Sequence, residues 1–458
     1  MMHDASQRAI SMAKLEPQRF QVYTERQLDK IDAIRSLSAE QRFSMRVVAK
    51  VLPFRVNQYV IDELIDWSNV PADPIFQLTF PQQGMLDDED FNLVADALKR
   101  EDNVALAQAV TQVRQKLNPH PAGQQDLNRP MIDDEAMNGM QHKYKETLLF
   151  FPSQGQTCHS YCTFCFRWAQ FIGDKTLRFS SNQSEQLQRY LKKHREISDI
   201  LITGGDPMVM KTRHLSDYLT PLLAPEFSHI KTIRIGTKSL SFWPQRYVSD
   251  ADADDLLRLF EKLVKAGKHV AIMAHYNHWQ EMETDMARIA AARIRATGAV
   301  IRTQAPLLAH INDDPEVWNR MWRTQVNRGM IPYYMFVERD TGARHYFEVP
   351  LARAWEIYRD AMKSVAGTCR TARGPSMSAC PGKIEIQGIS EINGEKVFVL
   401  RFIQGRNPEW VQRPFFAKYD PDATWLDHLK PAFGEKEFFF EQEFNQMVNE
   451  KLKQTGNA

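Results

Sequence analysis

The stretch TIRIGT, residues 232–237, is followed by DADADDLLRLFEKLVKAG, residues 250–267, and then by HVAIMAHYN, residues 269–277. The two outer runs are short and apolar, as buried strands are, whereas the middle segment spaces its apolar residues as an amphipathic helix does. This segment ends in Gly267, and glycine favours the C-terminus of a helix. A parallel crossover needs a dozen or more residues, so the stretch predicts one strand-helix-strand unit of a parallel sheet.

The same alternation of short apolar runs and amphipathic segments extends from about residue 147 to residue 366. The apolar runs are TLLFFPS (147–153), DILITGG (199–205), TIRIGT (232–237), HVAIMAHYN (269–277), AVIRTQAPLL (299–308) and MIPYYMFVE (330–338). Successive units of this kind predict an α/β fold with a parallel sheet, either an open doubly wound sheet or a partial barrel. Periodicity does not choose between the two. In both we expect the chemistry at the carboxyl ends of the strands.

Other patterns flank this βα region, which we place at residues 141–366. Residues 1–140 are predicted to form a helical N-terminal region, and the stretch NPHPAGQQDLNRPMIDDE at its end reads as a linker. Residues 367–458 are predicted to form a small α+β C-terminal region. Within it, Asn393-Gly394 predicts the turn of a β-hairpin, because this pair tolerates the positive φ angles of a type I′ turn.

The composition predicts a soluble globular protein. Among 458 residues, 58 Lys and Arg against 57 Asp and Glu leave a net charge of +1, and 43% of the residues are hydrophobic. Balanced charge without long blocks of one sign speaks against a nucleic-acid partner. No stretch has the apolar length of a signal peptide or a membrane span, so we expect a cytoplasmic protein without a membrane partner.

Three of the five cysteines, Cys158, Cys162 and Cys165, lie within eight residues after the first predicted strand. A secreted disulfide framework does not explain an odd, clustered set. A structural zinc site normally needs four ligands, and no second cysteine pair follows. Three thiolates on a four-iron cluster leave one iron open to coordinate a small molecule. The spacing therefore indicates a metal site, with a zinc site or a group of buried reduced thiols as the alternatives.

The pattern C-x3-C-x2-C, with Tyr161 before the second cysteine and Phe164 before the third, resembles the radical S-adenosylmethionine superfamily. The resemblance implies a [4Fe-4S] cluster on the three cysteines. Its open iron would bind the amino and carboxylate groups of S-adenosyl-L-methionine and release a 5'-deoxyadenosyl radical. The next strand ends in Gly204, Gly205 and Asp206, which match the superfamily's glycine-rich motif for the methionine amino group.

Further stretches resemble the lysine 2,3-aminomutase family within that superfamily and occur in the family's order. They are GMQHKY, ITGGDP, IRIGTKSLSFWPQR, AHYNH, TQAPLLAHIND and IPYYMF. The resemblance covers roughly residues 138 to 340 and implies a partial (βα)6 barrel, which decides the alternative left open above. It also implies a small amino-acid substrate and an electron donor such as flavodoxin or ferredoxin.

Polar residues stand where several predicted strands end, and as a set they are interpreted as cofactor and substrate contacts. They are Arg234, Arg246, His275, Asn277, His278 and Gln304. Each of them alone is more often an ordinary loop residue. Within the family resemblance, His275 and Gln304 are the predicted contacts of S-adenosylmethionine.

Family members that shift an amino group carry pyridoxal 5'-phosphate on a lysine. The matching segment here is ACPGK, residues 379–383, so Lys383 is the predicted catalytic lysine. Arg167 matches an arginine that pairs with the substrate carboxylate, and its alternative is a bridge to a neighbouring helix. Asp313, in the pair Asn312-Asp313, matches a substrate-recognising aspartate, and its alternative is a helix N-cap.

The sequence departs from the family around this cofactor. One glycine, Gly382, stands where the family has a glycine run, and Ala379 replaces an aspartate that would hold a substrate ammonium. Glu146-Thr147 stands where the family has an Asp-Arg pair whose arginine binds the cofactor phosphate. The C-terminal cysteines of the lysine enzyme's zinc site are absent, so Cys369 and Cys380 are predicted to be buried thiols.

We therefore predict a radical S-adenosylmethionine isomerase, an aminomutase that moves an amino group between adjacent carbons of an amino acid. One alternative is a radical enzyme of the same scaffold that uses no pyridoxal phosphate and modifies a protein lysine or another small metabolite. The missing phosphate-binding arginine favours this alternative. The other alternative is a non-catalytic metal-binding protein.

Overall fold

The structure is a computed structural model, and it describes residues 18–119, 127–133, 135–173 and 179–454. Part of the predicted linker therefore lies outside the described residues. Among the described helices, none combines the length and the apolar run that crossing a membrane requires.

Helices form most of the N-terminal part, as its periodicity predicts. They are α1 (Ala39–Val51), α2 (Pro74–Thr79), α3 (Asp88–Lys99) and α4 (Asn103–Leu117). Two short antiparallel strand pairs accompany them: β1 (Val22–Thr24) with β2 (Arg55–Asn57), and β3 (Met131–Ile132) with β4 (Glu135–Ala136). Strands this short show no detectable alternation, which is why the sequence did not predict them.

Capping residues decide where these helices begin. The Ser38 side chain accepts a hydrogen bond from the backbone N–H of Gln41 and so starts α1. The helical pattern at 87–117 divides into two helices because Asp102 accepts bonds from the N–H groups of Val104 and Ala105 at the start of α4. Aspartate and serine are preferred at this position because their oxygens satisfy N–H groups that lack a partner within the helix.

The centre of the fold is an eleven-stranded sheet whose strands lie in chain order. They are β5 (Met140–Tyr144), β6 (Thr147–Phe150), β7 (Asp199–Ile202), β8 (Thr232–Thr237), β9 (His269–His275), β10 (Val300–Leu307), β11 (Ile331–Val337), β12 (Arg373–Ser378), β13 (Gly382–Ile392), β14 (Glu395–Gly405) and β15 (Pro414–Lys418). The strands from β6 to β12 pair with one another in parallel. All other pairs in the sheet are antiparallel.

The predicted α/β class and all six predicted parallel strands, now β6 to β11, are confirmed. The doubly wound alternative is wrong, because its strand order reverses at a switch point whereas this order follows the chain throughout. The sheet also contains β12 as a further parallel strand. Its sequence RGPSMS contains Pro375 and only one large apolar residue, so the boundary predicted at residue 366 separates β12 from β11, its parallel neighbour.

Helices connect the parallel strands and follow the sheet. They are α5 (Ser184–Lys193), α6 (Thr212–Leu219), α7 (Ser239–Phe242), α8 (Ala253–Lys265), α9 (Asp285–Ala296), α10 (Pro315–Asn327), α11 (Arg344–Phe347), α12 (Leu351–Lys363) and α13 (Glu441–Gln454). The helical stretch predicted at residues 250–267 corresponds to α8. The C-terminal hairpin of β13 and β14 turns at Asn393-Gly394, as predicted, with φ angles of 52° and 80°.

The two faces of the parallel sheet differ in polarity. Ile233 and Ile235 of β8 are fully buried in the core that the sheet forms with its helices. Between them Arg234 points to the opposite face, because successive side chains of a strand alternate. On β10, Ile301 joins the same core, whereas Arg302 and Gln304 face the other way. Polar side chains thus collect on the face that the helices do not cover.

Candidate active site

The cysteine loop, residues 156–165, leaves the carboxyl end of β6 and is held by the N-terminal part of the chain. The backbone N–H of Tyr161 donates to the carbonyl of Arg55 at 2.8 Å. Buried Asn57 donates from Nδ2 to the carbonyl of His159, and its backbone N–H donates to the Ser160 hydroxyl at 3.0 Å. The loop has no regular structure of its own, so these contacts fix the path that carries the cysteines.

The three cysteine thiols lie within each other's electrostatic influence. Burial raises the pKa of Cys158 well above its ordinary value, and nearby Asp206 and the other two thiols raise it further. Burial likewise raises the pKa of Cys162, and that of Cys165 to about 11. The three groups are therefore neutral thiols at pH 7 unless a cation replaces their protons, as metal binding does.

Within the part of the chain that the structure describes, no three His, Cys, Asp or Glu side chains are arranged around a single metal ion. Ligands of one zinc ion lie within about 4 Å of each other, since each zinc-sulfur bond is about 2.3 Å. A four-iron cluster binds each thiolate through a different iron and so requires wider spacing. The described residues thus contain no preassembled single-metal site, and metal analysis decides between a cluster and zinc.

The glycines after β7 lie against the cysteine loop. A Cβ atom on Gly205 would be 2.4 Å from the carbonyl oxygen of Thr157, and one on Gly204 would be 2.6 Å from Nε2 of Gln156. No side chain fits at such distances. Glycine is thus required at both positions for the packing of two loops, a reason that the sequence did not reveal. Their contact with S-adenosylmethionine stays a prediction.

Asp206 holds two loops together. Its buried carboxylate accepts hydrogen bonds from the Thr237 hydroxyl at 2.7 and 2.9 Å, and from the backbone N–H groups of Met208 and Lys238, both at 2.9 Å. Burial raises the pKa of Asp206 to about 6, although these hydrogen bonds oppose the rise. The carboxylate was predicted to meet a ligand ammonium; its described partners are protein donors, and the ligand contact stays a prediction.

His275 and Gln304, the predicted S-adenosylmethionine contacts, lie side by side. They are register partners on β9 and β10, and His275 Nε2 is 2.8 Å from Gln304 Nε2. Burial, together with the charge of Lys238, lowers the pKa of His275 to about 3. The imidazole is therefore neutral at pH 7. The pair offers uncharged donors and acceptors, which suit the ribose or adenine of a nucleoside.

Other residues of the predicted set bind protein groups instead of facing a ligand. Arg234 makes a two-pronged ion pair with Asp199, through bonds of 2.8 and 2.5 Å. Buried Arg246 donates to the carbonyls of Met208 and Met210 and pairs with Asp252. His278 caps the short 3-10 helix that follows β9. Arg246 and His278 were interpreted as ligand contacts; in the structure both hold loops in place, and their contact with a ligand stays a prediction.

Lys238 and Glu281 form a buried ion pair that the sequence analysis missed. The Lys238 ammonium donates to Glu281 and to Oδ1 of Asn277, and it lies 4.6 Å above the Phe242 ring. Glu281 is fully buried and also accepts from the Ser241 hydroxyl at 2.5 Å. The positive charge of Lys238 lowers the pKa of Cys162, against the effect of burial. The pair thus contributes to the electrostatic potential at the cysteine loop.

Arg167 has the environment of an anion-binding residue. Its guanidinium lies 4.3 Å above the Phe151 ring and donates to Gln156 at 3.3 Å and to Gln170, while its buried Nε has no hydrogen-bond partner. Burial lowers its pKa to about 10, so it stays charged. Gln170 belongs to the short 3-10 helix that begins directly after Arg167, and no described carboxylate neutralises the charge.

Asp313 lies outside this arrangement. It is exposed, and in the described chain it makes no hydrogen bond or ion pair. The cap of α10 is Asp314, whose side chain accepts from the Glu316 N–H. Buried Asn312 joins the neighbouring loops by donating to the carbonyls of Asn277 and Pro306. The structure therefore brings Asn312, and not Asp313, to the inner side of the loop.

Lys383 faces a cavity of about 280 Å³. The cavity is lined by Asp199, Thr232, Arg234, His269, Ala271, Arg302, Tyr333, Lys383 and Gln404. Burial and the charges of Arg373 and Arg234 lower the pKa of Lys383 to about 7. Its ammonium lies 4.1 Å above the Tyr334 ring, and no described carboxylate pairs with it. A lysine that is partly neutral at pH 7 is a competent nucleophile.

The positions that depart from the family lie near this cavity. The Thr147 hydroxyl donates to Asp199, which lines the cavity, and the Glu146 carboxylate accepts from the Ser198 hydroxyl. The backbone carbonyl of Ala379 accepts from the Lys143 ammonium. Of the two cysteines predicted to be buried thiols, Cys369 is buried, whereas Cys380 is half-buried.

The sequence analysis also missed Arg302 and Arg373. Arg302 lies 5.3 Å from the Tyr333 ring, and Arg373 lies 4.6 Å and 4.2 Å from the rings of Tyr333 and Tyr334. The alternation of polar and apolar residues along β10, which places Arg302 on the same face as Gln304, would have indicated Arg302. Arg373 belongs to β12, which had no such signal.

No family model matches the chain. Over 403 residues it is 30% identical to a protein of Aquifex aeolicus named "Putative L-lysine 2,3-aminomutase", and the match covers 88% of this chain and 94% of the relative. It is 25% identical over 419 residues to the L-lysine 2,3-aminomutase of Bacillus subtilis, with 90% of this chain and 78% of the relative covered. A match of 26% identity to the L-lysine 2,3-aminomutase of Methanococcus maripaludis covers 53% of each chain.

Proposed function

Because the chain belongs to the lysine 2,3-aminomutase family, we propose that it is a radical S-adenosylmethionine isomerase that moves an amino group between adjacent carbons of an amino acid. The observation that carries the proposal is the cysteine loop. Three half-buried thiols that raise one another's pKa follow the carboxyl end of the first parallel strand, where enzymes of parallel α/β folds place their chemistry.

We propose that Cys158, Cys162 and Cys165 bind a [4Fe-4S] cluster. The raised thiol pKa values fit this donor set, because the positive irons would stabilise thiolates that the buried site disfavours on its own. When bound, the cluster and S-adenosylmethionine would supply a 5'-deoxyadenosyl radical that takes a hydrogen atom from the substrate. The electron would come from a donor such as flavodoxin or ferredoxin.

The S-adenosylmethionine contacts would be the backbone of residues 203–206 together with the His275-Gln304 pair. This assignment is supported by the contact between the glycine loop and the cysteine loop at Gly205 and Thr157. Neutral His275 can exchange hydrogen bonds without adding charge beside a sulfonium. Asp206 would act by positioning these loops.

We further propose that the sheet curls into the partial barrel of the family. The cavity near Lys383 supports this arrangement. Asp199 of β7 and Lys383 of β13 both line the cavity, although five strands lie between β7 and β13 in the sheet order. In such a barrel the polar inner side chains would surround the substrate and exclude water from a radical.

Lys383 would carry pyridoxal 5'-phosphate, and Arg167 would bind the substrate carboxylate. The cavity beside Lys383 is close to the lower limit of small-molecule pockets, about 300 Å³. The buried Arg167 guanidinium lacks a carboxylate partner and can bind one in a two-pronged geometry. We leave Asp313 out of the proposed site because it is exposed.

Lysine is the first substrate to test, since the named relatives act on it. The substrate of this chain need not be the same. Residue 379 carries no carboxylate here, and the Lys143 ammonium donates to its backbone carbonyl. A second ammonium group, such as that of a lysine side chain, would find no carboxylate at this position. We therefore propose an amino-acid substrate without fixing its side chain.

The test is anaerobic reconstitution with iron and sulfide, followed by incubation with S-adenosylmethionine, dithionite and candidate amino acids. We expect about four irons per chain, 5'-deoxyadenosine, and a β-amino acid from the true substrate. Substituting any of the three loop cysteines by alanine should abolish cluster absorbance and 5'-deoxyadenosine together. Cys369→Ala, a cysteine in the helix-covered core, should keep both.

Zinc without iron after anaerobic purification, or cluster formation unaffected by the loop substitutions, would contradict the proposal.

A second candidate function, radical chemistry without pyridoxal phosphate, is favoured by Thr147 at the position of the family's phosphate-binding arginine. Purified protein that forms 5'-deoxyadenosine but shows no lysine-bound pyridoxal phosphate at any concentration would favour this second candidate.

A further inference from the structure

Three cations near the cavity have no acidic partner. Arg302 and Lys383 line the cavity, and Arg373 lies next to it, within 4.6 Å of the Tyr333 ring. None of the three makes a hydrogen bond or an ion pair through its side chain within the described residues, and each lies against an aromatic ring. Cations gathered in a cavity repel each other, so an anion placed among them is stabilised.

Asp199, the acidic residue that lines the cavity, already binds protein groups. Asp199 accepts both prongs of the Arg234 guanidinium and a further bond from the Thr147 hydroxyl at 3.1 Å. This ion pair is neutral as a whole. The charge that remains around the cavity comes from Arg302, Arg373 and whatever fraction of Lys383 is protonated. The cavity is therefore positive.

The chemistry of these groups suits a phosphate. Arginine presents a planar fork of donors that matches two phosphate oxygens, and the two guanidinium groups approach the same tyrosine ring from β10 and β12. Lys383 stands beside them with an amine that reacts with an aldehyde. A ligand carrying both an aldehyde and a phosphate would match the two parts of the site.

We propose that Arg302 and Arg373 bind the phosphate of the cofactor that Lys383 carries, in place of the arginine that is Thr147 in this chain. This inference rests on the proposed pyridoxal phosphate. It assigns the phosphate to β10 and β12, whereas the family's arginine would come from the start of β6. It also removes the main objection to the cofactor, because the chain supplies the missing charge from other strands.

The test compares pyridoxal phosphate with pyridoxal, which has the aldehyde but no phosphate. Each is titrated into the full chain, and binding is followed by the absorbance of the carbon-nitrogen double bond that the lysine forms with loss of one water. We expect wild-type protein to bind pyridoxal phosphate about 100-fold more tightly than pyridoxal. Arg302→Gln should weaken pyridoxal phosphate about tenfold and leave pyridoxal unchanged, and Arg373→Gln, which also raises the pKa of Lys383, should weaken pyridoxal phosphate about tenfold more than it weakens pyridoxal.

Controls separate recognition of the phosphate from damage to the fold. Arg302→Lys keeps the charge and should restore most of the preference, and Arg258→Gln, an exposed arginine on α8, should change nothing. Inorganic phosphate should compete with pyridoxal phosphate but not with pyridoxal. A parallel loss of both ligands in Arg302→Gln, or an unchanged preference in the double variant, would overturn the inference.

The assay requires neither the iron-sulfur cluster nor S-adenosylmethionine. Failure of the radical reaction therefore shows as missing 5'-deoxyadenosine with the phosphate preference intact. If Arg302 and Arg373 do not bind the phosphate, their substitution leaves the preference for pyridoxal phosphate over pyridoxal unchanged in an enzyme that still forms 5'-deoxyadenosine. Absence of pyridoxal phosphate binding in the wild-type chain would overturn the inference outright.

Discussion

At the scale of single residues, Asp206 shows how a motif residue can act through its neighbours. Its carboxylate receives donors from the loops after β7 and β8, so it holds those loops together. The sequence predicted that this aspartate belongs to the site but assigned it to a ligand. Side-chain partners thirty residues away are not visible in a local motif, so this part of the prediction required the fold.

We expect Asp206→Asn to lower the free energy of unfolding by about 1–3 kcal/mol. An amide has one accepting oxygen, so its NH2 group would face either the Lys238 or the Met208 N–H without bonding it. Urea titration followed by tryptophan fluorescence measures the change. Asp217→Asn, on the exposed side of α6, is the control and should alter stability by less than about 0.5 kcal/mol. Equal effects of the two substitutions would contradict this account.

Lys383 should react with aldehydes near neutral pH. Its pKa of about 7 reflects burial first and then the charge of Arg373. Only the neutral amine attacks a carbonyl, so trapping with pyridoxal phosphate and borohydride should increase as the pH rises through about 7. Mass spectrometry of peptides gives the yield at Lys383.

Arg373→Gln removes a positive charge that disfavours the protonated amine. The pKa of Lys383 should therefore rise, and the trapping profile should move to higher pH. A profile with its midpoint near pH 10, as for an exposed lysine, would show that the amine is solvated.

At the scale of elements, the sequence predicted β6 to β11 because each is an apolar run bounded by helical segments. It missed β5, β12 and the short strands because their side chains show no alternation. The hairpin of β13 and β14 was predicted from two residues at its turn. The sequence thus predicted a strand or a helix wherever its local pattern was strong. Strands without such a pattern are recognised only by their pairing in the assembled sheet.

The hairpin turn offers a test of backbone strain. Gly394 has a φ angle of 80°, and no atom lies within 4 Å of the position of a Cβ there. Gly394→Val should therefore destabilise the protein by about 1–2 kcal/mol through conformation alone. Gly367→Ala, where there is also free space but no positive φ angle, should be close to neutral. Comparison of the two urea midpoints decides the matter.

At the scale of the whole molecule, the predicted division at residue 140 crosses a shared core. Phe76 and Phe80 of the N-terminal part belong to one hydrophobic cluster with Trp168, Trp243 and Phe347 from the loops at the sheet. The sequence could not show this, because contacts between distant helices and loops leave no periodic trace. The N-terminal part therefore serves as one wall of the cysteine loop.

Asn57→Ala tests this role. Asn57 donates to the carbonyls of His159 and Phe242, and both would lose a partner inside the protein. We expect a loss of about 2–3 kcal/mol and a several-fold faster release of iron from the reconstituted protein to a chelator. Asn103→Ala, on an exposed surface, should leave both values unchanged. Iron release at the wild-type rate would show that the loop holds its shape without the N-terminal part.

One end of the central sheet has a consequence for solubility at high concentration. A bare outer strand is a template for backbone pairing with another molecule and so for fibrous aggregation. Here β15 begins at Pro414, which lacks an N–H, and its far side is covered where Lys418 donates to Lys430 and Ala432 to Phe416. Intermolecular strand addition is thereby blocked on this border, and a chain shortened before residue 430 would polymerise more readily.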